Sequence, residues 1–167
     1  MVRRASNYIE GKIHELRVAG ELLNRGFDVY LPVVDSGVDI IAVDRESKEL
    51  IFAQVKKAKY KPRYKRWDFR NIPKKLIDEL EKVGKGHKAF FIFVLERPDK
   101  NYSYLILSPE IIKKFSETIY PMENPGRGKS LALIIKDRGD GTVFVRFRGK
   151  EEKGFHVKLD DWEKLQT

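Results

Sequence analysis

Apolar residues recur over residues 6–25 at the spacing of an amphipathic helix, and Gly26 follows at a position where glycine commonly ends a helix. Three segments rich in β-branched and aromatic residues come next, at 27–33, 38–43 and 50–58. Because only short polar stretches separate these segments, they predict a meander of three β-strands. The chain therefore begins with one helix and three strands.

The middle of the chain alternates between helical and extended patterns. Residues 59–70 are polar and irregular, and residues 72–83 have helical spacing that ends in a glycine-rich stop. Residues 89–95 form a nearly continuous apolar run, which is typical of a strand buried on both faces. A further strand is predicted at 102–107, and a short helix with proline in its first turn is predicted at 109–119.

The remaining residues are mainly of β type. Residues 121–129 are predicted to form a loop, and 131–136 and 142–148 are predicted to form a β-hairpin. A short strand near Phe155 and a helical turn at 160–165 complete the chain. The order α-β-β-β-α-β, followed by further β-strands, predicts a layered α/β fold.

The first helix carries a carboxylate where an apolar residue is expected. At about 100° per residue, one broad apolar face is predicted to pack on the sheet, and Glu15 lies inside it with Lys12 one turn before. A carboxylate turned toward a sheet is costly unless it is paired or bound to a cation, so Glu15 either forms a salt bridge with a lysine or belongs to a polar site. The predicted packing face comprises Ile9, Ile13, Leu16, Ala19, Gly20, Leu22 and Leu23, and the opposite, solvated side comprises Glu10, His14, Arg17, Glu21 and Arg25.

Polar residues also interrupt the second and third strands. Gln54 and Lys56 share one face of the third strand because side chains alternate, and Asp39 interrupts the apolar second strand. A lone lysine can extend its amine to solvent, but four intrusions on adjacent elements predict a polar pocket. The carboxylates of Glu15 and Asp39, the amide oxygen of Gln54 and the backbone carbonyl of Val55 are hard oxygen ligands suited to Mg²⁺ or Mn²⁺. A lysine beside such an ion can position a water or stabilise charge on a phosphate, as metal-assisted phosphodiester hydrolysis requires.

Four motifs contain these residues: Gly11-Lys12-Ile13-His14-Glu15, Leu22-Leu23-Asn24-Arg25-Gly26-Phe27-Asp28-Val29, Ser36-Gly37-Val38-Asp39 and Gln54-Val55-Lys56. Their order and separation resemble the PD-(D/E)xK superfamily of restriction-endonuclease-like nucleases. Within it, the sequence is most similar to the archaeal Holliday-junction resolvases and to the Mrr-like and Q-x-K groups. The resemblance covers residues about 8–95 and implies an αβββαβ core with a mixed central sheet flanked by helices. We expect one domain over 1–167, with its core at about 6–108 and a C-terminal β extension at about 109–167.

The resemblance implies a role for each intruding residue. Glu15 and Asp39 would bind the metal ion, Gln54 would hold the place of a second acidic residue, and Lys56 would be the catalytic lysine. Ser36 matches a phosphate or water contact. Glutamine in place of a carboxylate removes one negative charge from the metal site. It is similar to the residue found in some active branches, and it also fits a weakened or lost activity.

A dense basic segment follows the third strand, with Asp68 as its one acidic residue over 57–70. Cations alternate there with aromatic rings, a combination that suits nucleic acid because cations contact phosphates and rings stack on bases. The alternative is a solvated charged loop whose aromatic side chains tuck under the domain. The residues predicted to contact nucleic acid here are Lys57, Lys59, Lys61, Arg63, Tyr64, Lys65, Arg66, Trp67 and Arg70.

A second basic patch is indicated near the late hairpin, although alternating arginines on an exposed strand need no ligand. Its residues are Arg127, Lys129, Arg146, Arg148 and Lys150.

Composition narrows the classes of function. The 167 residues carry a formal net charge of +9, which favours a polyanionic partner, most commonly nucleic acid. The absence of cysteine excludes disulfides, thiolate zinc sites and cysteine nucleophiles. No apolar run is long enough to cross a bilayer and the first residues lack a signal-peptide pattern, so we expect a cytoplasmic protein without a membrane partner. The 35% of charged residues resembles the composition of heat-adapted proteins.

The leading hypothesis is a Mg²⁺- or Mn²⁺-dependent endonuclease that hydrolyses DNA, with branched or structured DNA as a candidate substrate. Because cutting a duplex needs two sites, we expect a homodimer. The first alternative is a catalytically weak or inactive nucleic-acid-binding protein with a nuclease-like fold, which Gln54 favours. The second is a structural partner in a larger complex that uses residues 98–167.

Overall fold

The computed structural model describes residues 2–33, 37–116, 122–124, 128–147 and 154–166. Helix α1 covers Val2–Asn24 and begins four residues earlier than the pattern predicts. Gly26 then adopts a left-handed φ of 88° and leads directly into strand β1, Phe27–Tyr30. No helix in these described ranges is long and apolar enough to cross a membrane.

Two sheets share one long strand. The further strands of the first sheet are β2 (Ile40–Asp44), β3 (Leu50–Lys61), β5 (Lys88–Glu96) and β6 (Tyr102–Leu107). Its order is β1-β2-β3-β5-β6, with β3 and β5 parallel and the other neighbours antiparallel. It is therefore a mixed sheet.

The second sheet grows from the outer end of β3. It contains β4 (Arg66–Pro73), β7 (Met122–Asn124), β8 (Gly128–Asp137), β9 (Thr142–Phe147) and β10 (Gly154–Lys158). Its order is β3-β4-β8-β9-β10, with β7 paired to β8, and all of these pairs are antiparallel. A short 3₁₀ turn at Pro62–Tyr64 connects β3 to β4.

Helices cover both faces of the first sheet. Helix α1 contacts strands β1, β2, β3 and β5 on one face. Helices α2 (Lys74–Val83) and α3 (Pro109–Ser116) pack on the other face, where α2 also contacts β4 and β8. A 3₁₀ turn at Trp162–Leu165 joins the α1 side.

The core has two parts, one on each face of the first sheet. The α1 side buries Val18, Leu22, Ile40 and Val94, among others. The other side buries side chains from the first sheet, α2 and the inner face of the second sheet, including Phe91, Phe93, Trp67, Leu133 and Val145. This arrangement explains the continuous apolar run of β5, since that strand faces a core on both sides.

Three predicted elements need correction. The segment 59–70 is not irregular: β3 continues to Lys61, and β4 begins at Arg66. The second helix begins at Lys74 rather than at residue 72, because Ile72 pairs with Leu131 in the second sheet. The predicted loop 121–129 contains β7 and the start of β8. Local periodicity does not show the pairing of β4 with β8, because β8 lies about 60 residues beyond β4. The end of β3 and strand β7 pair with segments close along the chain, and they were missed because their residues lack the apolar alternation of a typical strand.

Candidate active site

Asp39 lies where strand β3 extends beyond the start of β2. Its N–H donates to the carbonyl of Ala53 at 2.9 Å, which continues the β2–β3 ladder by one residue. Its carboxylate then accepts a hydrogen bond from the N–H of Val55 at 2.8 Å and another from the amide of Gln54. On this side of β3 the backbone of β2 has ended, and the Asp39 side chain accepts the hydrogen bond in its place. This bond fixes the position of the Asp39 carboxylate.

Gln54 and Lys56 face the same cavity as Asp39. The Gln54 side chain is buried, with 4% of the residue exposed, and Lys56 is half-buried. The cavity has a volume of about 650 Å³ and brings all four intruding residues together. Its lining comprises Gly11, Glu15, Gly37, Asp39, Gln54, Val55, Lys56, Lys57, Pro73, Lys75, Leu76 and Glu79.

Glu15 reaches the cavity from α1 and is paired there. Its carboxylate accepts a hydrogen bond from Lys12 Nζ at 2.6 Å, and only 12% of its side chain is exposed. The pairing raises the pKa of Lys12, chiefly through the hydrogen bond to Glu15. Both interpretations of Glu15 are thus partly realised: it forms a salt bridge, within its own helix, and it also lines the polar site.

The electrostatics of Asp39 fit a cation. Burial is the main cause that raises the pKa of the Asp39 carboxyl, and the nearby Glu15 carboxylate adds to it. The N–H of Val55 and the charge of Lys56 act in the opposite direction and do not fully offset burial. A divalent cation between the two carboxylates would supply the missing positive charge.

The oxygen donors also suit such an ion. Asp39 and Glu15 supply carboxylates, Gln54 an amide oxygen and Val55 a backbone carbonyl, a set typical of Mg²⁺ or Mn²⁺. Throughout the described ranges, no three His, Asp or Glu side chains cluster closely enough to hold a metal by themselves. A metal ion held here would therefore need amide, backbone and water oxygens to complete its coordination shell.

Helix α1 packs on the sheet with a face that only partly overlaps the predicted one. Ala19 and Leu22 are buried as predicted, but Val18 is buried too, and so is His14, which was predicted to be a surface residue. The predicted packing residues Ile9, Ile13, Leu16 and Leu23 are instead exposed. The helix has apolar residues on two sides, and its periodicity alone does not show which side meets the sheet.

Helix α2 forms the far wall of the cavity. The helix was predicted from the sequence, but its contribution to the site was not. A Cβ atom added at Gly37 would lie 3.1 Å from Leu76 Cδ1 and 3.3 Å from Glu79 Oε2. Gly37 also has a φ of 79°, a conformation that favours glycine. Gly37 thus lets α2 approach the site. In the sequence, the one signal of this role is the position of Gly37 in the motif Ser36-Gly37-Val38-Asp39.

The basic segment forms the β3–β4 hairpin, and its cations divide by position. Arg63, Tyr64 and Lys65 are exposed at the turn, where the Tyr64 ring lies 5.7 Å from the Arg63 guanidinium and 4.6 Å from that of Arg66. Lys57, near the cavity, pairs with carboxylates of α1 and β5. The hairpin thus carries cations from the cavity to its tip.

Two parts of the predicted nucleic-acid interface change. The prediction that Trp67 contacts nucleic acid is wrong, because Trp67 is 0% exposed and its indole N–H donates to the carbonyl of Glu96 at 2.7 Å. Strand alternation turns Trp67 and Phe69 inward, as the alternative interpretation of these aromatics expected. Ser36 and the side chains of Lys59 and Arg70 lie outside the described part of the structure.

No protein-family model and no curated protein sequence matches the chain. Among solved structures, the chain is similar to Hjc of Archaeoglobus fulgidus, a Holliday junction resolvase from an archaeal hyperthermophile. The TM-score is 0.53 with 14% sequence identity, over 95% of this chain and 97% of Hjc. The predicted α/β fold with a mixed central sheet is confirmed, and the chain has the restriction-endonuclease-like fold of this resolvase.

Proposed function

We propose that the protein is a metal-dependent endonuclease that hydrolyses phosphodiester bonds in DNA, with branched DNA as its substrate. The observation that carries the proposal is the set Asp39, Glu15, Gln54 and Lys56 around one cavity of a restriction-endonuclease-like fold. The resolvase neighbour supports branched DNA as the substrate class. This function is consistent with the expected cytoplasmic location.

Each residue has a defined task in this proposal. Asp39 and Glu15, with the oxygens of Gln54 and Val55, would hold Mg²⁺ or Mn²⁺, which when bound activates water and polarises the phosphate. Lys12 would leave Glu15 as the cation replaces it, because the lysine side chain is 44% exposed and has room to turn to solvent. The Lys56 ammonium would orient the attacking water and stabilise the charge that develops on the phosphate as the P–O bond breaks.

A cleavage panel tests the proposal. Four-way junctions, flaps, linear duplexes and single strands are incubated with Mg²⁺, Mn²⁺ or EDTA. We expect cleavage of the junction with metal, no cleavage in EDTA, and loss of cleavage in Asp39→Asn, a variant that keeps an oxygen to accept the Val55 N–H. If no substrate is cut with either metal, the proposal is wrong.

A non-catalytic DNA-binding role is the second candidate. Two observations favour it: Gln54 carries no charge, and Lys12 already neutralises Glu15. Calorimetry separates the two functions. Metal binding at millimolar concentration that disappears in Asp39→Asn supports the nuclease, and the absence of metal binding supports the DNA-binding role.

We also propose that the protein acts as a homodimer through the exposed side of α1. Ile9, Ile13, Leu16 and Leu23 are 57%, 44%, 59% and 46% exposed on the side of α1 that faces away from the sheet. Gly20 lies in the same stripe, and nothing is within 4 Å of the position of a Cβ there, so a second copy of the helix can approach closely. Cutting both strands of a duplex supplies the reason for pairing two copies.

Sedimentation tests the dimer. We expect Leu16→Glu to convert dimer to monomer, since it places a charge in the middle of the stripe. Lys85→Glu, an exposed residue beyond α2, serves as control and should remain dimeric. A wild-type protein that sediments as a monomer at micromolar concentration would contradict the dimer without affecting the cleavage test.

A further inference from the structure

The second sheet turns a continuous face away from the core. Its inner face contributes Trp67, Leu133, Val145 and Val157 to the core, so the alternate residues point outward. The register places these residues in rows across the five strands β3, β4, β8, β9 and β10. We name this surface the outer face; its described side chains are Lys61, Arg66, Asp68, Ile134, Lys136, Phe144, Arg146, His156 and Lys158.

The outer face is strongly basic. Among its described side chains, Asp68 is the one carboxylate, and it pairs with Lys61 at 3.5 Å and with Arg66 at 2.8 Å. Lys136 and Lys158 are exposed, and exposed Arg138 extends from the end of β8 over Phe144 at 5.5 Å. Even with Asp140, which lies near Arg138 in the β8–β9 turn, the cations outnumber the acids, so the surface fits a polyanion.

The apolar side chains of the outer face are at most partly exposed. Ile134 is only 7% exposed, and the half-buried Phe144 ring lies over Gly154 and 5.2 Å from the His156 ring. The aromatic rings described on this face, those of Phe144 and His156, offer a small area for stacking unpaired bases. Four strand spacings of about 4.8 Å give a cationic surface on the order of 20 Å wide. Phosphates repeat about every 3.4 Å along each strand of DNA, so a surface of this width meets several of them. It therefore fits the backbone of a duplex better than the bases of a single strand.

Strand β3 connects the outer face to the candidate active site. Lys57 lines the cavity from the face of β3 that carries Val55, opposite the face of Gln54 and Lys56, and Lys61 lies four residues later on the Lys57 face. At about 3.3 Å per residue, these two positions are roughly 13 Å apart. A duplex arm that leaves the cavity along β3 therefore meets the outer face within a few base pairs.

We propose that the outer face binds the phosphate backbone of a double-stranded DNA arm that extends from the active site. The inference rests on the proposed function, because it takes DNA to be the ligand of the cavity. It assigns a role to the C-terminal β extension, which would lengthen the binding track and favour substrates with long duplex arms. Arg146, from the second basic patch indicated by the sequence, lies on this face. The other residues of that patch, Arg127, Arg148 and Lys150 and the side chain of Lys129, lie outside the described part.

The test compares two triple variants with equal loss of charge. Lys136→Gln, Arg138→Gln and Lys158→Gln remove exposed cations on the outer face and in the turn beside it, whereas Lys82→Gln, Lys85→Gln and Lys114→Gln remove exposed cations from the helical side. Binding is measured by fluorescence anisotropy in EDTA on hairpin-capped junctions with arms of about 6 or about 20 base pairs; the longer arms exceed the roughly 10 base pairs that reach across the face. Thermal melting verifies that both variants fold.

We expect the outer-face triple to weaken binding to the long-armed junction at least 10-fold near 0.1 M salt, and to lower the slope of log K against log salt by up to about 3. The short-armed junction and the helical-side triple should change less than about 3-fold. Equal losses in both triples, or no loss in the outer-face triple, would overturn the inference. If the wild-type protein binds DNA as expected but cuts nothing with metal, only the proposed nuclease activity is refuted. If it cuts DNA but the two triple variants bind alike, only the proposed role of the outer face is refuted.

Discussion

The two sheets of this protein share strand β3 and differ in how many of their faces are buried. The first sheet is covered by α1 on one face and by α2 and α3 on the other, so a strand such as β5 is apolar over all of its residues between Lys88 and Glu96. The second sheet packs one face on the core and leaves the other in water. The polar side chains of the first sheet are therefore few and fixed, whereas those of the second are many and spread out.

In the proposed function, this difference separates the residues of the chemical step from those that bind DNA. Gln54 and Asp39 hold their geometry through partly buried hydrogen bonds, to each other and to the N–H of Val55. The cations of the hairpin and the outer face contact solvent, so each contributes little and several can be lost one at a time. Substitutions in the first sheet should have large, specific effects, and substitutions on the second should have small, additive and salt-dependent effects.

The sharpest comparison uses two adjacent lysines on β3. We expect Lys56→Gln to lower the cleavage rate at saturating DNA by about 100-fold or more, because it removes the cation beside the reacting phosphate. Lys57→Gln removes the same charge one residue later and should change the rate less than about 5-fold, since Lys57 pairs with Glu10 and Glu96. Single-turnover cleavage measures both rates, and equal losses would contradict the proposed role of Lys56.

Two aromatic residues of the hairpin compare the core with the surface. Trp67→Phe should lower the free energy of unfolding by about 2 kcal/mol, because it removes a buried hydrogen bond and leaves a cavity. Tyr64→Ala, at a residue that is 52% exposed, should leave stability within about 0.5 kcal/mol and weaken DNA binding several-fold. Urea denaturation and anisotropy measure the two effects. A Trp67→Phe variant of full stability but weak binding would restore Trp67 as a DNA contact.

The smallest expected effect concerns a titratable group buried in the first sheet. Burial raises the pKa of Tyr104 to about 12, as its ring packs on Trp162 with centroids 5.0 Å apart. The folded state then keeps its proton at pH values where the unfolded chain, with a tyrosine pKa near 10, has lost it. Stability is therefore fully present below pH 10 and is lost as the pH rises toward 12, by about 1.4 kcal/mol at pH 11.

Tyr104→Phe isolates this contribution from the titration of lysines. The difference in unfolding free energy between wild type and variant should be constant from pH 7 to 9 and should shift in favour of the variant between pH 10 and 11.5. A difference that does not change with pH would show that Tyr104 titrates normally.

Strand periodicity and local chemistry determined much of the protein before any tertiary contact was known. Alternation along β3 was sufficient to place Gln54 and Lys56 on one face, and the continuous apolar run of β5 was sufficient to predict a strand between two cores. These features depend on neighbours in the chain, and strand geometry converts them directly into positions in space.

The tertiary structure decided what depends on distant partners. The apolar residues on two sides of α1 allowed two packing faces, and only contact with the sheet showed that Val18 and His14 are buried while Leu16 is exposed. Strand β4 looked irregular because its partner β8 lies far along the chain, and without that pairing Trp67 was taken for a surface ring. Burial is a property of the assembled layers, so the division of the basic segment into core residues and exposed cations could be decided only there.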